Sequence, residues 1–581
     1  MKILKKILIT TGILMVCVVS CKDDFLDVPP TASLTEDKLT TKNGLEGSLI
    51  AAYSVLHGRE GFGAPDGFYA GTSNWLWGSI LGGDANKGTN SGDQSGVNEI
   101  QAYATQVTNT NVLQKYQTCY EGIARVNSLL RLLPNAQPNV SPEDKTRMEA
   151  EGKFLRGFFY FELKRLYNNT PYLDETTDYL TGITEVGNDA DLWPMIEADL
   201  QFAYNNLPET QADAGRVNKW AAGAYLAKAY LYQQKFPEAK TLFDEVIANG
   251  QTANGQPYGL VANYGDLWRI DSDNNQESVF AVQAAAGTGT VLNANPDFVL
   301  NFPYNGGPAG CCGFFQPSFD LANSFRTDAN GLPLLDGSYN TGANQLVNDQ
   351  GVAATAAFTP DTGPLDPRLD HSVGRRGLPY LDHGLHPGVS WIRDQNYGGP
   401  FAPKKFIWSK AEEATGVDKS SWTPGYSALN VPIMRFADVL LMAAEAEVEL
   451  NNLETARGDV NQVRERAANP AGFVMNGASP AANYVIGLYE DPWTDQAVAR
   501  EAVRFERKLE LSGEGHRFFD LVRWGIAEPT LNAYLTYERS KVPASPFVGA
   551  IFNAGKDEYL PIPQREIDIL GSDVLKQNPN Y

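Results

Sequence analysis

The stretch from Ala499 to Gly525, AREAVRFERKLELSGEGHRFFDLVRWG, constrains the fold most, because its pattern predicts two helices joined by a tight turn. Val498, Ala502, Phe505 and Leu509 recur at spacings of four, three and four, which places them on one helical face. The SGEG segment ends the first helix, since glycine adopts the left-handed stop conformation most easily. Three basic residues fall together on another face: Arg500, Arg504 and Arg507. We therefore expect a helical hairpin here.

Alanine-rich helix pairs form a second pattern. Residues 217–233 and 237–248 carry residues at the spacings of a tetratricopeptide repeat: Leu226, Ala227, Tyr230, Ala239 and Phe243. Residues 431–450 and 453–467 repeat this pattern with Ala443, Ala444, Ala456 and Val460. Small residues at these positions let the paired helices approach closely. We expect each pair to pack as an antiparallel hairpin.

Further helices are predicted at 44–56, 112–133, 142–167 and 191–207. In the third of these, Ser141 is placed to cap the helix and Pro142 occupies a first position that proline tolerates. Its segment EAEGKFLRGFFYFELKRLY is apolar around most of the circumference, which predicts a buried helix.

Residues 250–430 break the helical pattern and are rich in glycine, proline, asparagine and aromatic residues. They separate two of the helix pairs, whereas the repeats of a free-standing solenoid stack directly. A loop segment this long in a compact protein is usually functional. The sequence therefore predicts a predominantly α-helical protein with four tetratricopeptide-like helix pairs and a long loop-rich insertion.

The N-terminus predicts an exported, lipid-anchored protein. Lys2, Lys5 and Lys6 precede an apolar run from Ile7 to Val19, which is too short for a comfortable transmembrane helix. The residues before Cys21 resemble a bacterial lipobox, so residues 1–20 are predicted to be a lipoprotein signal peptide and residues 21–40 a lipidated tether. The alternative is a plain signal peptide with a free Cys21. No second hydrophobic stretch approaches the length of a membrane span.

Charge and cysteine content narrow the possible partners. The formal net charge of −22 argues against nucleic acid and anionic lipid headgroups. With Cys21 acylated, the mature chain keeps Cys119, Cys311 and Cys312, so a disulfide framework is excluded. The adjacent pair Cys311–Cys312 could form a stiff, apolar vicinal disulfide or remain two free thiols, and the sequence leaves both open.

Several motifs, in order, resemble the SusD/RagB family of outer-membrane glycan-capture lipoproteins of Bacteroidetes. The 499–525 hairpin resembles the family signature, and further resemblances lie in the CKDDFLDVPP opening, the 431–450 helix and the C-terminal YLPIPQREI and KQNPNY segments. The resemblance implies a SusD-like fold. It divides the mature chain into an N-terminal helical scaffold (41–249), a ligand-binding insertion (250–430) and a C-terminal helical part (431–581).

The same resemblance implies the function. It implies a cell-surface protein that is anchored in the outer membrane by lipid, faces the cell exterior and captures oligosaccharides for a SusC-like TonB-dependent transporter. RagB-like capture of peptides is the alternative, and a surface glycoside hydrolase is a third reading.

The sequence contains none of the catalytic motifs that we considered. Phosphate-binding glycine loops, HExxH and GxSxG motifs are all absent. His371, His383 and His386 lie near Asp370 and Asp382, which could hold a metal, but loop histidines in ordinary hydrogen bonds are the preferred interpretation. We therefore predict a binding protein with no catalytic residues, no metal and no cofactor.

Aromatic residues in loops are the predicted glycan contacts, because flat rings stack on the CH faces of sugars while planar polar groups bind the hydroxyls. The turn-rich segment 391–399 offers Trp391, Arg393, Asp394, Gln395 and Tyr397. The competing interpretation is a loop folded onto the scaffold.

A second group of aromatic residues surrounds the cysteine pair and includes Tyr304 and Phe315. The remaining tryptophans are expected to have structural roles: Trp75, Trp77, Trp220 and Trp524 in the scaffold, and Trp408 and Trp422 packing rather than binding.

Overall fold

The computed structural model describes residues 36–58, 67–179 and 182–581. The predictions for the signal peptide, for Cys21 and for tether residues 22–35 lie outside the described residues. Residues 36–40 of the predicted tether begin with a short helix and join the scaffold, where Gln137 N donates a hydrogen bond to Thr40 O at 3.0 Å.

The protein is predominantly helical, as predicted, and its long helices pack in chain order. Helix α6 packs directly on α7 although the whole insertion separates them in sequence. The insertion therefore leaves the stack and returns to it without interrupting the helical scaffold. The long helices are α1 (Lys42–Ser54), α2 (Thr110–Leu132), α3 (Pro142–Tyr167), α4 (Trp193–Asn206), α5 (Lys219–Tyr232), α6 (Phe236–Asn249), α7 (Phe436–Glu449), α8 (Leu453–Ala467), α9 (Gln496–Glu510), α10 (Arg517–Arg523) and α11 (Ala527–Arg539).

Capping residues fix the starts of several scaffold helices. Ser141 Oγ accepts a hydrogen bond from Asp144 N at 3.0 Å, so α3 begins at the proline as predicted. Asn218 caps α5 in the same way through Ala221 N at 2.9 Å. The phenylalanines of α3 are buried, including Phe154 at 0% exposure, which confirms the prediction of a buried helix.

Two predictions about helix ends and faces were wrong. Residues 431–435 form a β-strand, and the helix begins only at Phe436. Val498, predicted to lie on the apolar face of α9, is 54% exposed, while Ala499 and Val503 are buried instead. Ala502 and Leu509 are buried as predicted and Phe505 is half-buried, so the error is confined to Val498 in the first turn of α9.

The insertion is built from short elements, in agreement with the prediction of a loop-rich segment. Within the described residues the strands form two-stranded antiparallel sheets, β1 with β3, β2 with β6, β4 with β5, and β7 with β8. The β2–β6 pair joins the insertion to the start of α7. The strands are β1 (Ala85–Gly88), β2 (Ser278–Val282), β3 (Phe314–Pro317), β4 (Val373–Gly374), β5 (Ala402–Pro403), β6 (Val431–Arg435), β7 (Met475–Asn476) and β8 (Ser479–Pro480).

Short helical turns complete the chain. The α-helical turns are Glu36–Leu39, Gly67–Ala70, Gly96–Gln101, Phe319–Ser324, Leu369–Ser372, Gln395–Gly398, Glu413–Gly416 and Gln564–Leu570. A π-helical turn spans Trp75–Ile80, and its two tryptophans are buried. The 3₁₀ turns are Val55–His57, Leu133–Asn135, Ile183–Glu185, Tyr264–Trp268, Ile270–Ser272, Val291–Asn293, Ser338–Asn340, Gly342–Asn344, Gly388–Trp391, Lys410–Glu412 and Pro470–Gly472.

The turn between α9 and α10 is tightly packed against the π-helical turn. Gly515 has φ +80°, and a Cβ at this position would lie 2.2 Å from Ser73 O. Gly513, at φ +74°, donates its N–H to Asp84 Oδ2 at 2.9 Å. Only glycine combines this backbone conformation with so close an approach. The glycines of the SGEG segment thus seat the predicted hairpin in the core.

The hairpin also carries buried charge. Glu506, Glu510 and Glu514 are at most 7% exposed and face basic groups from the insertion and from the second half of the scaffold. These partners are Arg368, Lys405, Arg435, Arg464 and Arg466. These ion pairs link the insertion to the scaffold.

Along the described parts of the chain, none of the helices has both the length and the apolar character needed to cross a bilayer.

Candidate functional site

Three of the predicted site residues meet at the surface of the insertion. Tyr304 N donates a hydrogen bond to Trp391 O at 2.8 Å, and the Arg393 guanidinium lies 5.1 Å from the centre of the Tyr304 ring. Tyr304 and Trp391 are half-buried and Arg393 is exposed. Trp391 is held by edge contacts with Tyr380 at 5.4 Å and His386 at 5.2 Å. The arrangement combines two rings and a planar cation on one surface.

Arg393 has unused hydrogen-bonding capacity. Its Nη1 donates to Thr89 Oγ1 at 2.8 Å and to Asp93 Oδ2 at 2.7 Å. Within the described residues, neither Nε nor Nη2 has a hydrogen-bond partner. Asp93 and Thr89 therefore orient the guanidinium and leave part of its donor edge for a ligand.

A buried lysine supports this corner from below. Lys87 Nζ donates to Asn90 O at 2.9 Å and to Asp93 O at 2.6 Å, and it lies 5.0 Å from the centre of the Tyr397 ring. Burial lowers the pKa of Lys87 to about 8, although Asp93 opposes the shift. Lys87 thus holds residues 90–93 in place, and Asp93 in this segment is the ion-pair partner of Arg393.

The other predicted residues of the 391–399 segment have structural roles. Asp394 caps the short helix Gln395–Gly398 by accepting a hydrogen bond from Asn396 N at 3.0 Å. The buried Gln395 accepts one from Gly351 N at 3.0 Å. Tyr397 is 2% exposed, and Gln101 Nε2 donates to its hydroxyl at 3.1 Å. The alternative interpretation, a loop folded onto the scaffold, therefore describes the second half of this segment.

Phe315 also lies inside the protein. It is 8% exposed and makes an edge contact with Trp75 at 6.1 Å between ring centres. The enclosed space beside it is about 20 Å³, which is room for about one water. A ligand in this region is therefore limited to the outer surface.

The structure adds an aromatic pair that the sequence analysis did not select. Trp422 was expected to pack, but 57% of it is exposed. It makes an edge contact with the half-buried Phe68 at 6.3 Å. The sequence signal was a tryptophan flanked by Ser, Thr and Pro in SSWTPG, which is typical of an exposed loop. Trp408, by contrast, is 3% exposed and packs as predicted.

Residues 303–313 connect two groups of rings, Tyr304 with Trp391 and Phe68 with Trp422. At one end, a Cβ at Gly306 would lie 3.8 Å from Trp391 Nε1. Further on, Ala309 O accepts a hydrogen bond from Thr423 Oγ1, next to Trp422, at 3.4 Å. We call the residues that this segment brings together the aromatic surface: Phe68, Tyr304, Cys311, Trp391, Arg393 and Trp422.

The adjacent cysteines in this segment are joined by a disulfide. Cys311 is half-buried and Cys312 is 6% exposed. Of the two states that the sequence left open, the structure contains the oxidised one. The remaining described cysteine, Cys119, is a buried free thiol.

The three loop histidines form hydrogen bonds with backbone atoms. His371 Nε2 lies 2.8 Å from Gly472 O, and His383 Nε2 lies 3.1 Å from Trp408 O. His386 Nδ1 accepts a hydrogen bond from Gly388 N at 3.1 Å. In the described parts of the chain, no three His, Cys, Asp or Glu side chains gather as metal ligands would. The hydrogen-bonded interpretation of these histidines fits this geometry.

Comparisons with known proteins converge on one family. Residues 276–581 match the model described as "SusD family", and residues 69–231 match the model described as "Starch-binding associating with outer membrane". A SusD-like protein of Formosa agariphila is 27% identical over 87% of this chain and 87% of its own length.

Solved structures share the fold. A SusD superfamily protein from Bacteroides vulgatus aligns with a TM-score of 0.68 at 22% identity, covering 93% of this chain and 99% of its own. Surface glycan-binding protein A from Bacteroides thetaiotaomicron, solved with laminarihexaose, aligns with a TM-score of 0.63 at 20% identity, covering 93% and 100%.

Proposed function

The chain belongs to the SusD family, and from that premise we propose that it captures oligosaccharides at the cell surface without catalysis and delivers them to a TonB-dependent outer-membrane transporter. One observation carries the proposal. Trp422, 57% exposed, lies with Phe68 beside residues 303–313, the segment that includes Tyr304 and contacts Trp391. An exposed tryptophan with other aromatic side chains nearby is suited to stacking on a sugar ring.

The polar groups of the aromatic surface suit a glycan. Arg393 presents donors that Asp93 and Thr89 hold in place, so a sugar hydroxyl meets a pre-oriented group. The solved relative that carries laminarihexaose supports a glycan as the ligand class. We assign binding to the insertion, residues 250–430, with Phe68 as a contribution from the N-terminal scaffold.

The sequence and the family support a proposal for the anchor and the location. We propose that Cys21 is lipidated and holds the protein on the outer membrane, facing the cell exterior. The family model that matches residues 69–231 is described as associating with the outer membrane, which supports this placement. An anchored protein needs no spanning segment of its own.

The division of the chain suggests how the transporter is engaged. The helical scaffold would bear on the transporter, while the aromatic surface of the insertion faces the glycan. Ligand contacts made only in the closed assembly would then favour closure, since a ligand shifts an equilibrium by its differential affinity for the two states.

Binding to a panel of neutral and acidic polysaccharides and a peptide mixture tests the proposal. The full chain, kept in detergent, is run in native gels that contain each polymer, and peptide binding is measured by calorimetry. Retardation by one glycan class is the expected result. Binding of peptides with no glycan retained would move the protein to peptide capture.

A separate measurement addresses catalysis. The bound polymer is incubated with pure protein for a long period and assayed for new reducing ends. We expect none above the protein-free control. Release of reducing ends that scales with protein concentration would contradict a binding-only role.

A further inference from the structure

We propose that the Cys311–Cys312 disulfide is itself a ligand contact of the aromatic surface, and that its reduction to two thiols weakens glycan binding. The inference rests on the proposed function and goes beyond it by naming a covalent feature of the site. It also makes binding dependent on the redox state of this one bond.

The position of the disulfide supports a role at the surface. Cys311 lies between Ala309, whose carbonyl meets Thr423 beside Trp422, and Gly313, which lies beneath Tyr304 and Arg393. Cys311 is half-buried, so part of it faces outward. Along the segment the disulfide therefore lies between the residue that contacts Thr423 and the residue that contacts Tyr304, and Cys311 is partly exposed there.

Stabilisation of the fold does not account for this disulfide. A disulfide stabilises mainly by restricting the unfolded chain, and the effect grows with the length of the loop that it closes. Cys311 and Cys312 are neighbours in sequence, so the closed loop is the smallest one the chain can form. The disulfide must act locally, on the shape and polarity of the segment that carries it.

The local effect is both apolar and mechanical. A disulfide presents two sulfurs without polar hydrogens, whereas two thiols are weak donors that rotate independently. The next residue, Gly313, donates its N–H to Phe302 O at 2.8 Å, and a Cβ there would lie 3.2 Å from the Tyr304 Cβ and 3.7 Å from the Arg393 Cβ. Greater freedom of residues 311–312 would therefore disturb Tyr304 and Arg393, the two side chains that lie beside Gly313.

The chemistry of the other described cysteine makes the test selective. Cys119 is 2% exposed, and burial raises the pKa of its thiol to about 12. The thiolate is the reactive form, so Cys119 is inert to alkylation in the folded protein. Labelling after mild reduction then reports on the vicinal pair, with peptide mapping to identify the labelled residues.

Reduction by a water-soluble phosphine gives a balanced reaction. The phosphine attacks one sulfur and the S–S bond breaks. Water then supplies the oxygen of the phosphine oxide and the two protons that convert both sulfurs to thiols. The phosphine is oxidised by two electrons and the disulfide is reduced by two.

The experiment measures the dissociation constant of the full chain in detergent for the glycan that retards it in the gels, before and after phosphine treatment. We expect reduction to weaken binding about tenfold, which corresponds to losing one buried apolar contact. The double variant Cys311→Ser/Cys312→Ser should bind about as weakly and ignore the phosphine. The matched control, Cys119→Ala, should bind and respond as the unsubstituted protein does.

Three results would overturn the inference while leaving the proposed function intact. They are equal glycan affinity before and after reduction, a double variant that binds as tightly as the unsubstituted protein, and an equal effect of phosphine on the double variant. Peptide-mass evidence that Cys311 and Cys312 are both free thiols in the untreated, glycan-binding protein would do the same. If the oxidised protein bound no glycan at all, the proposed function would fall and this inference with it.

Discussion

The Glu510 carboxylate lies 2.6 Å from the Arg435 guanidinium, and both side chains are inside the protein. Arg466 and Arg368 also contact Glu510, the latter at 3.0 Å. Burial alone would raise the pKa of Glu510, but the three guanidinium groups outweigh it and hold the pKa well below its usual value. Glu510 on α9 thus links the insertion, through Arg368, to the strand and helix that carry Arg435 and Arg466.

Glu510→Gln is expected to lower the free energy of unfolding by about 3–5 kcal/mol, because it leaves buried guanidinium groups without their counter-charge. Urea denaturation at neutral pH measures the change. Glu465→Gln, an exposed glutamate on α8, is the matched control and should stay within about 0.5 kcal/mol of the unsubstituted protein. Equal stability of the two variants would show that the ion-pair cluster does not hold the insertion.

A second buried carboxyl, that of Asp297, has its pKa shifted upward, whereas that of Glu510 is shifted downward. The upward shift predicts that stability falls as the pH rises. Burial raises the pKa of Asp297 to about 7, although Ser73 N donates to Oδ2 at 2.8 Å and Lys115 is near. Between about pH 4 and pH 7 the unfolded chain has lost this proton and the folded protein has kept it. The contribution of Asp297 to stability therefore falls as the pH rises through that window and is constant above it.

Asp297→Asn should remove this contribution to the pH dependence, since the amide keeps an acceptor for Ser73 N and does not ionise. We expect the variant to gain stability relative to the unsubstituted protein as the pH rises from 4.5 to 8, by up to about 1.4 kcal/mol for each unit of pKa shift. Urea unfolding at pH 4.5, 6 and 8 provides the comparison. Parallel pH profiles of the two proteins would contradict the assigned pKa.

Local patterns were enough to predict the helices, because their information lies within a few turns of chain. Ala227 and Ala239 have the spacing of a close-packed pair, and both are fully buried in the α5–α6 hairpin. The exceptions occur where tertiary pairing decides. Residues 431–435 are apolar enough for either structure, and pairing with β2 makes them a strand.

The candidate site was harder to predict, because the composition of a loop does not show which side faces out. Tyr397 looked like a stacking residue, but its partner Gln101 lies 296 positions earlier in the chain. Trp422 looked like a packing residue, yet only Phe68 and Tyr426 contact its ring among the described aromatic residues. Such contacts across the chain cannot be read from local sequence.

Gly313 offers a test of how the aromatic surface is positioned. It has φ +79°, and a Cβ would press on the Tyr304 Cβ at 3.2 Å. Gly310, with φ +68°, has nothing within 4 Å of the same point. Both alanine variants share the cost of a left-handed residue, about 1 kcal/mol, and only Gly313→Ala also displaces Tyr304.

Gly313→Ala should therefore weaken glycan binding several-fold, while Gly310→Ala binds nearly as the unsubstituted protein does. Calorimetric titration with the retained glycan measures the affinities, and thermal unfolding checks that both variants remain folded. Equal affinities for the two variants would show that the placement of Tyr304 does not matter to the ligand.

Trp391→Ala is expected to abolish retention in the glycan gels. Because Trp391 also packs on Tyr380 and His386, its loss should lower the free energy of unfolding by about 1–3 kcal/mol. Denaturation by urea alongside the gel assay separates the two effects. Unaltered retention would place the ligand elsewhere on the protein.

Trp422→Ala isolates ring stacking from packing, since more than half of this side chain is exposed and its removal opens no cavity. We expect glycan affinity to fall about tenfold, with a melting temperature within about 1 °C of the unsubstituted protein. Trp493→Ala is the matched control: Trp493 is half-buried beside Tyr489 at 5.2 Å, on the loop before α9. A tenfold loss confined to Trp422→Ala would identify its indole as a sugar platform. Equal binding by both variants would remove Trp422 from the site and leave Trp391 and Tyr304 as its aromatic contacts.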